Sequence, residues 1–342
     1  MALPLLGITM GDPAGVGPEV IIKALSRPGL YRQFRPLVLG DPAIISRAIK
    51  LLSLPLELQI LGATEVNDLS RLSCHPGEIP LIPLSSLDPK KISPGHPDHS
   101  CGEVVVSYLK EAVKLARKGR ISAIVTAPIS KEIMNRAGYH YPGHTELLAE
   151  LTNTKSYAMM LTGRLLKVVL ATIHCPLEEV AKQLSRKGIA RTIELTSESL
   201  RVFFGIARPR IGVAALNPHA GEGGLLGAQE LRIIKPAVRD ARQKGIEVNG
   251  PLPADSLFYF TTKGQYDAII CMYHDQGLIP LKMLHFTDAV NVTLGLPIIR
   301  TSVDHGTAYG IAGRGVADPA SMIAALKLAA RMARIKKKNT GK

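Results

Sequence analysis

Leu3-Pro4-Leu5-Leu6-Gly7-Ile8-Thr9-Met10-Gly11-Asp12-Pro13-Ala14-Gly15-Val16-Gly17-Pro18-Glu19 opens the chain with an apolar run, a glycine-rich turn and the start of a helical period. A short strand breaking through a turn into a helix is the repeating step of an α/β fold. The step recurs. Apolar runs at 36–39, 121–126, 167–173, 211–215 and 268–272 are rich in Ile, Val and Leu, and with 3–10 they are the predicted strands. Helical periods bounded by breakers predict helices over 18–26, 102–118, 177–186, 189–203, 227–244 and 319–335. This alternation predicts an α/β protein whose sheet is largely parallel in its core. The stretch 79–99 carries five prolines and two histidines without a clear period, and reads as an irregular surface excursion.

Composition narrows the partners. A chain of 342 residues suits one large or two medium domains, and two are expected. Hydrophobic residues at 46% against 20% charged supply a core and leave no case for disorder. The net charge of +14 raises the question of nucleic acid, but Arg331, Arg334, Lys336, Lys337, Lys338 and Lys342 crowd the last dozen residues. A basic helix end of that kind is favoured by the helix dipole. The remaining positive charge lacks interleaved aromatics, and the chain has no Trp on which to stack bases. Anionic small molecules fit the charge better, and no nucleic-acid partner is expected. Cys74, Cys101, Cys175 and Cys271 are far apart with no C-x-x-C pair, so they read as reduced thiols. No basic n-region or cleavage site precedes Gly11, and no segment holds about 18 uninterrupted apolar residues. A soluble, cytoplasmic protein with no membrane partner is expected.

Three histidines share one context. His174 closes Val168-Val169-Leu170-Ala171-Thr172-Ile173, His219 follows Val213-Ala214-Ala215-Leu216-Asn217-Pro218, and His274 follows Ile269-Ile270-Cys271-Met272-Tyr273. A parallel sheet would deliver all three to one rim. Three imidazoles converging with an open position suit Zn2+ or a similar cation. Three unrelated loop or core histidines are the other reading, and without short ligand spacing both stand. Cys175 and Cys271 lie near two of the histidines, but odd separations on a strand point to opposite faces, which favours core packing. The 11–19 turn could turn amides toward an anion or be purely structural; it is neither G-x-G-x-x-G nor a P-loop. Pro142-Gly143-His144-Thr145-Glu146 opens a helix-like run, and Gly221-Glu222-Gly223-Gly224 follows His219. Lys282, Asn291 and Arg300 stand in apolar surroundings, either as solvated groups or as a clamp for phosphate or carboxylate.

Taken in order, Ile8-Thr9-Met10-Gly11-Asp12-Pro13-Ala14-Gly15-Val16-Gly17-Pro18-Glu19, Gly143-His144-Thr145-Glu146, Ala171-Thr172-Ile173-His174, Leu216-Asn217-Pro218-His219-Ala220-Gly221-Glu222-Gly223-Gly224, Met272-Tyr273-His274-Asp275-Gln276-Gly277 and Arg300-Thr301-Ser302-Val303-Asp304-His305-Gly306-Thr307-Ala308 resemble the signatures of the 4-hydroxythreonine-4-phosphate dehydrogenase (PdxA) family of pyridoxal phosphate synthesis. The resemblance spans nearly the whole chain. It implies that His174, His219 and His274 ligate one divalent cation, Zn2+, Mg2+ or Co2+, with the third ligand supplied across a homodimer interface. It implies that His144, Thr145, Lys282, Asn291 and Arg300 bind a small phosphorylated hydroxy acid. Residues 305–319 are similar to the adenosine-binding loop of isocitrate and isopropylmalate dehydrogenases, which implies NAD or NADP held by His305, Gly306, Thr307, Ala308 and Asp318 without a Rossmann loop. Asp318 stands where those enzymes often carry Asn.

The implied fold is two α/β/α domains with a cleft between them: 1–135 with 290–342, and 136–289 carrying the metal ligands and dimer interface. The implied activity is oxidation of 4-phosphooxy-L-threonine at C3 followed by decarboxylation to 3-amino-2-oxopropyl phosphate. Residues 140–152 and 157–161 resemble instead the paralogues that oxidise 4-phospho-D-threonate or 4-phospho-D-erythronate, which is the alternative. Lys131, Asp255 and Asp275 are the candidate general bases.

Overall fold

The opening apolar run forms β1 (Leu5–Thr9), buried along its whole length. The computed structural model describes residues 2–340; Lys342 of the basic tail lies outside them. The fold is mixed α/β. Beyond β1 the strands are β2 (Arg35–Gly40), β3 (Glu57–Ile60), β4 (Glu78–Pro83), β5 (Ala123–Thr126), β6 (Ala158–Thr162), β7 (Lys167–Leu170), β8 (Ile211–Ala214), β9 (Val248–Leu252), β10 (Ala268–Cys271), β11 (Val290–Leu294) and β12 (Arg300–Val303). The chain forms two compact units, Met1–Lys155 with Leu296–Arg334, and Ser156–Gly295 with Ile335–Lys342.

In the first unit the strand order is β3-β4-β2-β1-β5-β12, and every pairing is parallel. Strands covered on both faces read as unbroken apolar runs rather than alternating ones, which is why β1 and β5 show no polar alternation and carry a polar residue only at their last position, Thr9 and Thr126. The helix His99–Arg117 packs on β1, β2 and β5. Its amino end is capped by Asp98, whose Oδ1 accepts from the Ser100 N–H at 2.9 Å and the Cys101 N–H at 3.4 Å. The second unit runs β11-β6-β7-β10-β8-β9. Here β6 is antiparallel to both β11 and β7, while β7, β10, β8 and β9 pair in parallel. Its core gathers Leu161, Val168, Leu170, Ile269, Cys271 and Leu281. Among the described residues no helix is long and apolar enough to cross a membrane.

Two sequence expectations are corrected. Residues 79–83, part of the 79–99 stretch expected to be irregular, belong to strand β4 between β3 and β2. Pro80 and Pro83 hide its pattern, yet Ile79, Leu81 and Ile82 are buried and the ladder tolerates the missing N–H groups. Residues 227–244, expected as one helix, instead make a wide π-type turn over Glu230–Ile234 before the regular helix Lys235–Gln243. Pro236 explains the break: it has no N–H to return to the preceding turn, and its ring crowds the carbonyl there.

The glycine-rich turn after β1 proves structural. Its amides are consumed within the unit: Asp12 N–H on Pro128 O, Ala14 N–H on Asp12 Oδ1, Gly15 N–H on Asp12 O and Val16 N–H on Thr307 O. Gly11 has φ +73°, and a Cβ there would stand 2.4 Å from Pro128 O, so no other residue fits. The turn also carries the 305–319 loop. Asp12 Oδ2 accepts from Tyr309 Oη at 2.6 Å. Glu19, on the helix Gly17–Leu25, accepts from the Gly313 and Gly315 N–H groups at 2.6 and 2.9 Å. Lys23 Nζ donates to Ala317 O at 2.7 Å. Burial is the main reason the Asp12 carboxyl is pushed above its ordinary pKa, with the Tyr309 hydrogen bond opposing it.

Glu19 is only 3% exposed, so removing it strips two charge-assisted bonds from the loop. Glu19→Ala is expected to lower stability by about 1–3 kcal/mol in urea denaturation, and to speed tryptic cleavage after Arg314. Unchanged cleavage would show that the loop is held by other contacts.

Candidate active site

The carboxyl ends of β7, β10 and β8 are neighbours, and the histidines of the second unit follow them. His174 and His274 come together, their ring centroids 5.5 Å apart and inclined by 42°. His274 Nδ1 lies 2.7 Å from Asp275 Oδ1, which leaves Nε2 as the outward nitrogen. His219 is exposed and sits in a turn over 218–224. Among the described residues no three His, Cys, Asp or Glu side chains gather into a metal-binding group. One chain therefore presents an imidazole pair. A pair of imidazoles suits Zn2+ or a related cation, and the carboxylate on His274 is the partner that fixes such a ring's tautomer. Cys271 is packed in the core, where burial pushes its thiol pKa up and keeps it protonated.

Three polar residues that sequence reasoning did not single out tie these strand ends together. Thr172 Oγ1 donates to Met272 O at 2.7 Å, joining the segment before His174 to the one before His274. Gln276 accepts from the Met272 N–H at 2.7 Å and donates from Nε2 to Ala215 O at 2.6 Å, joining β10 to β8. Glu230 is fully buried and accepts from the Leu216 and Asn217 N–H groups. The available signal was a buried-pattern polar residue within a turn or two of each histidine motif.

In the first unit a separate group forms around the helix His144–Leu151. Thr145 and Arg300 are each 3% exposed. Arg300 donates to Thr126 Oγ1 from Nε at 3.2 Å and from Nη2 at 2.8 Å. Burial pulls its pKa down to about 9, partly offset by Glu146, so the guanidinium is still charged at neutral pH. His144 Nε2 is sealed from solvent without a hydrogen-bond partner, although the residue as a whole is only partly buried. Burial first, then the charges of Arg300 and Lys131, holds this imidazole well below its ordinary pKa. Lys131 and Glu146 flank Gly143, where a Cβ would lie 3.4 Å from Lys131 Cε and 3.5 Å from Glu146 Oε2. An unsatisfied imidazole nitrogen, two cations and a helix amino end together favour an anion. Lys282 and Asn291 belong to the second unit, Lys282 on the helix His274–Leu284 and Asn291 on β11.

The 305–308 segment is mostly exposed. His305 Nδ1 lies 3.0 Å from Gly306 O, and Ala308 takes a left-handed conformation at φ 46°. Around Gly306 and Gly310 nothing stands within 4 Å of an added Cβ, so a ligand can approach the backbone closely. Asp318 Oδ1 accepts from the Ala320 N–H at 2.9 Å and thereby caps the C-terminal helix Ala320–Thr340. Of the three candidate bases, Lys131 is near His144, Asp275 is bound to His274, and Asp255 is exposed and accepts from the Ser256 N–H at 2.8 Å.

Known proteins resemble this chain over nearly its whole length. The chain is 53% identical over 332 residues to a 4-hydroxythreonine-4-phosphate dehydrogenase of Desulforapulum autotrophicum, covering 97% of this chain and 96% of that protein. It is 44% identical to a D-threonate 4-phosphate dehydrogenase of Cupriavidus necator, covering 97% and 98% of the two chains. The crystal structure of a 4-hydroxythreonine-4-phosphate dehydrogenase from Klebsiella pneumoniae superposes with a TM-score of 0.87 at 43% identity, covering 97% of this chain and 98% of that one. Residues 32–329 match the family model for the pyridoxal phosphate biosynthetic protein PdxA. The ordered motifs, the strand-end histidines and these likenesses agree, and the chain belongs to the PdxA family.

Proposed function

We propose that the chain oxidises the C3 hydroxyl of 4-phosphooxy-L-threonine and that the product loses CO2 to give 3-amino-2-oxopropyl phosphate, a step of pyridoxal phosphate synthesis. The orphaned His144 Nε2 carries this reading, because a buried imidazole nitrogen without a hydrogen-bond partner lies among the positive charges of Arg300 and Lys131. His144, Thr145 and Arg300 of the first unit bind the substrate phosphate, and Lys282 and Asn291 of the second unit are the further substrate-binding residues. Remote binding of this kind fixes the reacting carbon and lowers the entropic part of the barrier. His174, His219 and His274 would hold a divalent cation, which would supply Lewis-acid chemistry, and His305, Gly306, Thr307, Ala308 and Asp318 would hold a nicotinamide cofactor, which would supply a hydride acceptor. Asp275 orients His274 through Nδ1, which removes it from the candidate bases. Asp255 is committed to its neighbouring amide. Lys131 is retained as a candidate general base, a role that requires its uncharged amine form.

The two units serve as two α/β/α domains, the second carrying the metal ligands and the surface that pairs with a second copy. Exposed Leu225, Tyr259, Ile279, Met283 and Phe286 support that pairing, since apolar side chains so open to water favour burial against a partner. In this homodimer two imidazoles come from one chain and one from its mate, consistent with a single chain presenting a pair. The second reading, 4-phospho-D-threonate or 4-phospho-D-erythronate oxidation, is favoured by the Cupriavidus necator relative. Those acids keep the phosphate, the C3 hydroxyl and the carboxylate, and replace the C2 amino group by hydroxyl.

Following NADH formation with each acid in parallel separates the readings. The hydroxythreonine phosphate is expected to turn over at least tenfold more efficiently, and chelator is expected to abolish the rate with either acid. A rate unaffected by chelator would remove the metal from the proposal. His144 adds a pH dependence. Its folded pKa lies below the unfolded value, so the unfolded chain binds the extra proton and stability falls as pH drops below about 6.5, by up to about 1.4 kcal/mol per unit. Denaturation between pH 7 and pH 4.5 is expected to show a shallower loss in His144→Asn than in the unmodified protein. Equal slopes would show that His144 is not held neutral.

A further inference from the structure

Five consecutive residues after Pro218 lie in the left-handed region: His219 at φ 53°, Ala220 at 55°, Gly221 at 78°, Glu222 at 44° and Gly223 at 67°. Side chains crowd the backbone in that conformation, so three non-glycine residues in one such run need support from outside it. The support is Glu230, which has no exposed surface. Its Oε1 accepts from the Leu216 N–H at 2.9 Å and the Asn217 N–H at 2.8 Å, and its Oε2 accepts from Asn217 Nδ2 at 3.0 Å. Asn217 Nδ2 also donates to Gln229 Oε1 at 2.9 Å. The turn then folds back over the carboxylate so closely that a Cβ at Gly221 would stand 2.6 Å from Glu230 Oε2.

We propose that Glu230 is a positioning residue whose buried carboxylate holds the left-handed turn 219–223 and thereby fixes where the His219 imidazole is presented. The proposal rests on the reading of His219 as a cation ligand. Glu230 acts through the backbone of Leu216 and Asn217 and touches neither cation nor substrate. Three N–H donors converge on it, and only a carboxylate offers two acceptor oxygens at that spot. The π-type turn that begins at Glu230 belongs to the same device, since it widens the helix where the carboxylate must reach back. Glutamine at this position keeps the shape but turns one acceptor into a donor facing Asn217 Nδ2.

The test uses the full-length protein in four forms: unmodified, Glu230→Gln, Asn217→Ala and His219→Ala. Amide hydrogen exchange and Co2+ titration followed by visible absorption are measured on each. Glu230→Gln is expected to speed exchange across 216–224 at least tenfold, with β10 and the first unit unchanged. Its Co2+ dissociation constant is expected to rise about 10–100-fold, and kcat to fall with little change in KM. Asn217→Ala, which removes one donor and keeps the carboxylate, is expected to show a smaller change in the same segment, and it carries the test should Glu230→Gln not fold. Exchange across 216–224 that stays at the unmodified rate in the folded variants overturns the proposal, as does faster exchange there with unchanged Co2+ affinity and spectrum. His219→Ala separates the two claims: if it binds Co2+ as tightly as the unmodified protein, the ligand reading of His219 fails, whereas the exchange data still report whether Glu230 holds the turn.

Discussion

Backbone hydrogen bonds pair β10 in parallel with β7 on one side and β8 on the other, so three strands finish on the same edge. Everything chemical in the second unit is built outward from that edge. A strand end alone gives direction but not position, because the chain becomes free to turn once the ladder stops. Thr172 and Gln276 continue the ladder with side chains where backbone bonding has ended. The loops that carry His174, His219 and His274 are thereby tied to one another before any ligand arrives, which is how a fold reduces the ordering cost of binding.

The strand-end histidines and the helices with long regular periods, such as His99–Arg117 and Arg186–Val202, were legible because apolar runs and helical periods announce themselves locally, whereas the helices Pro42–Leu52, Ala254–Thr262 and His274–Leu284 were not predicted. The α/β class followed from the same patterns. β4 was not legible, since Pro80 and Pro83 write a loop signal over a strand whose apolar residues are nonetheless covered. β6 and β11 were missed for a different reason. They are short, and the segments Ala158–Thr162 and Val290–Leu294 are no longer than many loop or helix segments of the same composition. At the site, residue type pointed to His144 and Arg300, but their burial could not be read from position. Glu230 looked like any surface carboxylate of a helix, and only its three converging donors set it apart.

Burial changes what the first-unit cations can do. A surface arginine must shed tightly bound water before it meets an anion, whereas Arg300 has lost that water on folding and already rests on Thr126. The cost shows in the depressed pKa of Arg300 and in the neutral His144 beside it. An anion entering there relieves both, since negative charge restores the preference of each group for its protonated form. Folding stability and anion affinity are coupled through the same few atoms.

Asp12 and Tyr309 are bonded across 297 positions of sequence, and Glu19 reaches Gly313 across 294. During synthesis the amino-terminal partner of each pair leaves the ribosome long before the other exists. At about 5–20 residues per second, the interval is tens of seconds. The central strand β5 likewise waits for β12. Residues 156–295 contain all of their own strands and can order while the nascent chain is still growing, so the middle of the polypeptide is free to mature before its beginning, whose remaining partners arrive with about the last seventh of the chain.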